Sequence, residues 1–83
     1  MAEQAGNARI LIEHIAKLLV DAPNDVFVEE YEDGDETVIE LEVAESDLGK
    51  VIGRSGRIAR ALRGILAATG AKAGKHYALE IIE

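Results

Sequence analysis

The stretch Val51-Ile52-Gly53-Arg54-Ser55-Gly56-Arg57-Ile58 decides the reading of this chain. Just upstream, Ser46 is a good N-cap, and Asp47 follows in the first turn, where a carboxylate meets the positive end of a helix dipole. A short helix is therefore expected from Asp47 to Ile52. Gly53 stops it, because a residue without a Cβ can take the left-handed backbone that ends helices. A longer helix is expected from Arg57 to Thr69, with Ile58, Ala61, Leu62, Ile65 and Leu66 on one face, Arg57, Arg60 and Arg63 on the rest, and Gly70 as its close. Eight glycines in 83 residues make a Gly-x-x-Gly spacing common by chance. Its position between two helices is what gives it weight.

On the N-terminal side, Ile10, Leu11, Ile15, Leu18 and Leu19 recur at helical spacing, opposite Arg9, Glu13 and Lys17. This predicts an amphipathic helix over 8–20 that ends before Ala22-Pro23-Asn24. Val26, Val28 and Glu30 then alternate with Phe27, Glu29 and Tyr31, and Ile39, Leu41 and Val43 alternate with Val38, Glu40 and Glu42. The two runs flank Glu32-Asp33-Gly34-Asp35-Glu36 and read as a hairpin. On the C-terminal side, a loop Gly70-Ala71-Lys72-Ala73-Gly74-Lys75 leads to a last strand in which Tyr77, Leu79 and Ile81 alternate with Glu80. The order α-β-β-α-α-β predicts one α+β domain over residues 1–83, a three-stranded sheet with helices on one face. There is no internal repeat, linker or low-complexity segment.

A chain of this size has room for one domain with a thin core, so association is expected to help stabilise it. With 48% hydrophobic and 30% charged residues it has a globular composition. It has no Cys, which excludes disulfides, thiolate metal sites and cysteine nucleophiles. Met1-Ala2-Glu3-Gln4 opens no basic-then-apolar leader, and no run approaches a membrane span, so a soluble cytoplasmic protein is expected.

The net charge of −7 argues at first against a polyanionic partner. The average conceals an asymmetry. Fourteen of the sixteen carboxylates lie between Glu3 and Asp47, whereas Leu48 to Leu79 holds no acid and seven bases: Lys50, Arg54, Arg57, Arg60, Arg63, Lys72 and Lys75. A basic face for an anionic partner, set against an acidic remainder, follows from this.

The helix junction offers what a nucleic-acid strand needs. Gly53 and Gly56 let phosphates approach the main chain, and the amides opening the helix at Arg57 sit unpaired at its positive end. Lys50, Arg54 and Arg57 add charge, and Ser55 a hydrogen bond. Ile52 and Ile58 can floor a narrow groove for the bases of a single strand.

The motif resembles the core of KH domains, and the helix-first order resembles their bacterial, type II arrangement. Nearly the whole chain, with its N-terminal helix, acidic hairpin and the run Asp47-Leu48-Gly49-Lys50-Val51-Ile52-Gly53-Arg54 continuing to Gly56-Arg57, resembles the KhpA family of small bacterial stand-alone KH proteins. The resemblance implies binding of single-stranded RNA, homodimerisation, pairing with a KhpB/Jag-type KH protein, an RNA-chaperone or post-transcriptional role, and a link to cell-shape and cell-wall homeostasis. It assigns the phosphate clamp to Gly53, Arg54, Ser55 and Gly56, with Lys50 and Arg57 beside it. KH loops often hold two basic or polar residues that include Lys; Arg54 and neutral Ser55 imply a weaker clamp, which a second domain would reinforce.

Plainer readings stand beside these. Gly53 to Gly56 can be a bare turn, Arg60 and Arg63 a solvated helix face, and Lys72 and Lys75, secondary RNA-binding candidates with Arg60, ordinary loop lysines. Asp33, Asp35 and Glu36 read as turn acids rather than metal ligands, since the Ca²⁺-loop spacing is not met. His14 and His76 have no nucleophile context, and Phe27, Tyr31 and Tyr77 read as packing rather than base-stacking residues. Gly64 costs about 1 kcal/mol in an exposed helix relative to Ala and so invites close approach. Together with Ala61, Ile65 and Ala68 it forms a candidate dimer face, against simple packing within the chain. No cofactor or metal set is visible, and an enzyme is not expected. The rival reading is a dimeric protein-interaction adaptor on a KH-like scaffold with little RNA affinity of its own.

Overall fold

The computed structural model describes residues 7–83; the opening Met1 to Gln4, read above as lacking a leader, lies outside the described residues. Helix α1 (Asn7–Leu19) leads through a 3₁₀ turn at Pro23–Asp25 into β1 (Phe27–Asp33) and β2 (Glu36–Glu42). A second 3₁₀ turn at Glu45–Asp47 opens α2 (Leu48–Ile52), a third at Arg54–Gly56 joins it to α3 (Arg57–Ala73), and β3 (His76–Ile81) follows. The expected order α-β-β-α-α-β is the order found.

The sheet runs β1-β2-β3. β1 and β2 pair antiparallel from Phe27↔Glu42 to Asp33↔Glu36, and β2 and β3 pair parallel from Glu36↔His76 to Leu41↔Ile81. The central strand, flanked by a neighbour on each edge, is buried at Thr37, Val38 and Ile39 and again at Leu41 beyond Glu40. The core joins Ile12 and Ala16 of α1, Val28, Ile39, Leu41 and Leu79 of the sheet, Val51 of α2, and Leu62 and Leu66 of α3. All three helices contribute to one side of the sheet. The other side carries Phe27, Glu29 and Tyr31, as the alternation predicts, but Phe27 and Tyr31 are 58% and 43% exposed there, so the reading of these two as packing residues is not met.

Four local expectations need correction. The buried stripe of α1 is Ala8, Ile12 and Ala16, while Ile10 and Leu18 stand 55% and 73% exposed. The hairpin turn is the two-residue loop Gly34-Asp35, with Gly34 at φ 64°; Asp33 and Glu36, read above as turn acids, are the last residue of β1 and the first of β2. Ser46 does not cap α2; it lies inside the 3₁₀ turn, and Asp47 is the cap residue but spends its side chain elsewhere. Gly70 does not close α3. The helix continues to Ala73 and ends at Gly74 in left-handed backbone, φ 70°. Gly70 is buried in the helix because β3 turns back across it: a Cβ there would collide with the Lys75 carbonyl oxygen, and the Lys75 amide donates to the Gly70 carbonyl at 2.8 Å. Lys72 accordingly sits on the last helical turn rather than in a loop.

Among the described residues no helix is long and apolar enough to cross a membrane. Among the same residues no group of His, Cys, Asp and Glu is arranged to hold a metal ion.

Candidate nucleic-acid interface

The junction between α2 and α3 is a backbone construction. The Gly53 amide donates to the Gly49 carbonyl at 2.8 Å, ending α2, and the chain then reverses at φ 79°, ψ 169°, a region open essentially to glycine alone. A Cβ on Gly53 would lie 2.7 Å from Ile58 Cγ1 and 2.9 Å from the Ile58 amide nitrogen. Glycine is thus required twice over, by dihedral and by space. Ser55 (φ 57°, ψ 25°) and Gly56 (φ 74°, ψ 18°) are both left-handed, and Gly56 donates back to the Gly53 carbonyl at 3.1 Å. Ser55 is a non-glycine residue held in this conformation, at a cost of about 1 to 2 kcal/mol, the kind of strain that clusters at ligand-binding loops.

Arg60 braces the turn. Its Nη1 donates to the Ser55 carbonyl at 2.8 Å, so a residue ranked second by sequence is tied directly to the loop. α3 then begins with no side chain among the described residues capping its first amides, and seventeen residues of helix stand behind them. Arg54, Ser55 and Arg57 are exposed, and Gly53 and Gly56 are half-buried. Ile52 and Ile58 are half-buried and packed against the core, with Ile58 supporting Gly53. The fold therefore brings Ile52, Gly53, Arg54, Ser55, Gly56, Arg57, Ile58 and Arg60 to one place.

Lys50 is oriented differently. Its ammonium lies 3.4 Å from Asp21 and 3.6 Å from Asp47, toward the start of α2 rather than toward Gly53. Lys72 and Lys75 lie at the far end of α3, roughly 20 Å along the axis at 1.5 Å per residue. Lys75 there lines a cleft of about 330 Å³ with Glu36, Ala67, Ala71, His76 and Tyr77. Arg63 bridges the two regions, its Nη2 donating to the Leu79 carbonyl of β3 at 3.4 Å.

Sequence reasoning placed Asp47 at the start of the short helix but missed its burial and its tie to the loop after α1. Asp47 is 2% exposed, and its Oδ2 accepts from the Ala22 amide at 3.0 Å, pinning the loop after α1 to the start of α2. Burial alone would raise its pKa, but the backbone amides of Ala22 and Asp21 and the Lys50 ammonium outweigh it and hold the carboxyl below the usual range. The available signal was a carboxylate ahead of a helix with a Lys three residues on.

Ala61, Gly64, Ile65 and Ala68 form an exposed strip on α3 facing away from the core. A Cβ on Gly64 would meet nothing within 4 Å among the described residues, so packing among these does not account for that glycine.

Residues 9–81 match the family model for the KhpA/KhpB KH domain. The chain is 48% identical to the RNA-binding protein KhpA of Halalkalibacterium halodurans, covering 90% of this chain and 99% of that one. It is 46% identical to the protein of that name from Borreliella burgdorferi (98% and 99% covered) and 55% identical to that from Aquifex aeolicus (88% and 92%). Among solved structures, it superposes on part of Aquifex aeolicus Era bound to GDP and AlF4⁻ with a TM-score of 0.58 at 19% identity, covering 89% of this chain and 29% of that one. A structure of Era in complex with MgGDPNP and nucleotides 1506–1542 of 16S ribosomal RNA gives 0.59 at 19%, with 89% and 28% covered. These last two likenesses are likenesses of fold.

Proposed function

Because the chain belongs to the KhpA/KhpB family of KH domains, we propose that it binds single-stranded RNA through the Gly53 to Gly56 junction, by its phosphates and without catalysis. The observation that carries this reading is the coincidence of three features at one point. The backbone is bare and left-handed, the amides of a long helix are uncapped, and the exposed Arg54 and Arg57 belong to a stretch without a single acid. Anions are favoured at such a helix start. The curated relatives are named RNA-binding proteins, which supports the choice of ligand.

The working form in this proposal is a homodimer joined through Ala61, Gly64, Ile65 and Ala68, whose small side chains let two helices approach closely. The open space over Gly64 supports it. Two weak clamps in one particle bind a strand more tightly than either alone. A KhpB/Jag-type KH protein is the alternative mate, and the role is that of a cytoplasmic RNA chaperone or post-transcriptional regulator contributing to cell-shape and cell-wall homeostasis. The adaptor reading draws its support from the outer sheet face, where Glu29, Glu40 and Glu80 stand side by side across three strands next to exposed Phe27.

The double substitution Arg54→Asp, Ser55→Asp tests the clamp. It places negative charge where phosphates would lie while leaving the helices and sheet alone. Loss of RNA binding with an unchanged circular-dichroism spectrum is the expected result; retained affinity would sink the proposal.

A further inference from the structure

Lys50 stands three residues before Gly53, but its side chain runs back along α2, the direction helical side chains take, to the carboxylates of Asp21 and Asp47. The two acids differ. The Asp47 side chain is 3% exposed and already fixed by the Ala22 amide, whereas that of Asp21 is 83% exposed and has Lys50 as its ion-pair partner. Among the described residues the other bases around the junction are without acids. Arg54 and Arg57 have no carboxylate partner among the described residues, and Arg60 and Arg63 donate to backbone carbonyls. Lys50 is thus singled out within the acid-free stretch Leu48 to Leu79, and both of its partners come from outside that stretch.

We propose that Asp21 and Asp47 are positioning residues that hold Lys50 back from RNA, so that the clamp engages through Arg54 and Arg57 and takes up Lys50 only when a phosphate displaces the Asp21 carboxylate. This rests on the RNA reading given above. An exposed ion pair at 3.4 Å is worth little in water, comparable with a single phosphate contact, so the exchange is reversible. Asp47, held in place by the loop amide, is the point to which Lys50 returns. The arrangement keeps the affinity of one domain low and leaves part of its charge in reserve.

The test is the titration of a fluorescein-labelled single-stranded RNA of mixed sequence into the wild-type chain and into Asp21→Asn, Lys50→Met and the double variant, across a range of salt concentrations. Asp21 is exposed, so Asp21→Asn should fold as the wild type does. It should tighten binding about two- to fivefold at low salt. It should also steepen the dependence of log K on log salt by about 0.7, the increment for one more single-strand phosphate contact. In the Lys50→Met background both effects should vanish. An unchanged affinity and slope in Asp21→Asn, or a gain that persists without Lys50, would overturn the positioning role, the latter because it reports only the removal of a negative charge. If the wild type shows no salt-dependent binding at all, the RNA reading fails and this inference falls with it. Wild-type binding with Asp21→Asn unchanged removes the inference alone.

Discussion

At the scale of single residues, the junction depends on its two glycines, and at Gly53 there is no room for a side chain. Gly53 is confined by its dihedrals and by Ile58 behind it. Replacing it with Ala should cost about 2 to 3 kcal/mol of unfolding free energy, the sum of a backbone region closed to L residues and a collision with main chain that cannot step aside. Urea denaturation would read this out. Those glycines were legible in the sequence because their role is local. Asp47 was not, since its burial depends on the Ala22 amide, 25 residues earlier, and spacing along α2 carries no record of that loop. Lys50 was legible as a base near the clamp but not as one drawn back by Asp21.

At the scale of elements, α1 and α3 show where periodicity misleads. α1 buries Ala8, Ile12 and Ala16, and alanines add little to an apolar pattern, so the larger Ile10 and Leu18 drew the predicted face toward solvent. The end of α3 was misread for a related reason: a glycine serves a close crossing as readily as a stop, and Gly70 serves the crossing of β3. Among the described residues Gly64 has no neighbour to accommodate, so Gly64→Ala should raise the stability of the isolated domain by about 1 kcal/mol, while weakening self-association in sedimentation analysis if α3 is the dimer face.

The sheet carries a pH dependence of its own. Glu40 pairs across the strands with Glu29 on one side and Glu80 on the other, and Tyr31 donates to Glu80 Oε1 at 3.2 Å. Partial desolvation first, and then the charges of Glu80, Glu29 and Glu42, hold the Glu40 carboxyl above its ordinary value of 4.5. The folded chain therefore binds this proton more tightly than the unfolded chain, and the Glu40 contribution to stability falls as pH rises from 4.5 through the raised value. Asp47 acts in the opposite sense: its contribution is present above its ordinary value of 3.8 and lost as pH falls through the lowered one. Glu40→Gln should consequently raise Tm at pH 7, with the gain shrinking as the pH approaches 4. A constant difference across that range would show that charge is not the cause.

At the scale of the whole molecule, the acid-rich N-terminal half and the base-rich C-terminal half are folded together rather than kept apart. Asp21 and Asp47 meet Lys50, while among the described residues the arginines of the α2–α3 junction have no carboxylate partner. The order of elements and the position of the junction could be read from the sequence because they follow from local signals. Which charges neutralise one another could not, because that is decided by the packing of loops remote in the chain. The account turns on the junction being an RNA clamp, and the dependence of single-stranded RNA affinity on salt, for the wild type and Arg54→Asp, Ser55→Asp side by side, tests it most directly. For the wild type, log K should fall linearly with log salt, with a slope of about 0.7 for each phosphate held, and the variant should lose the binding. A wild-type affinity that is negligible or indifferent to salt, or a variant that binds as the wild type does, would contradict it.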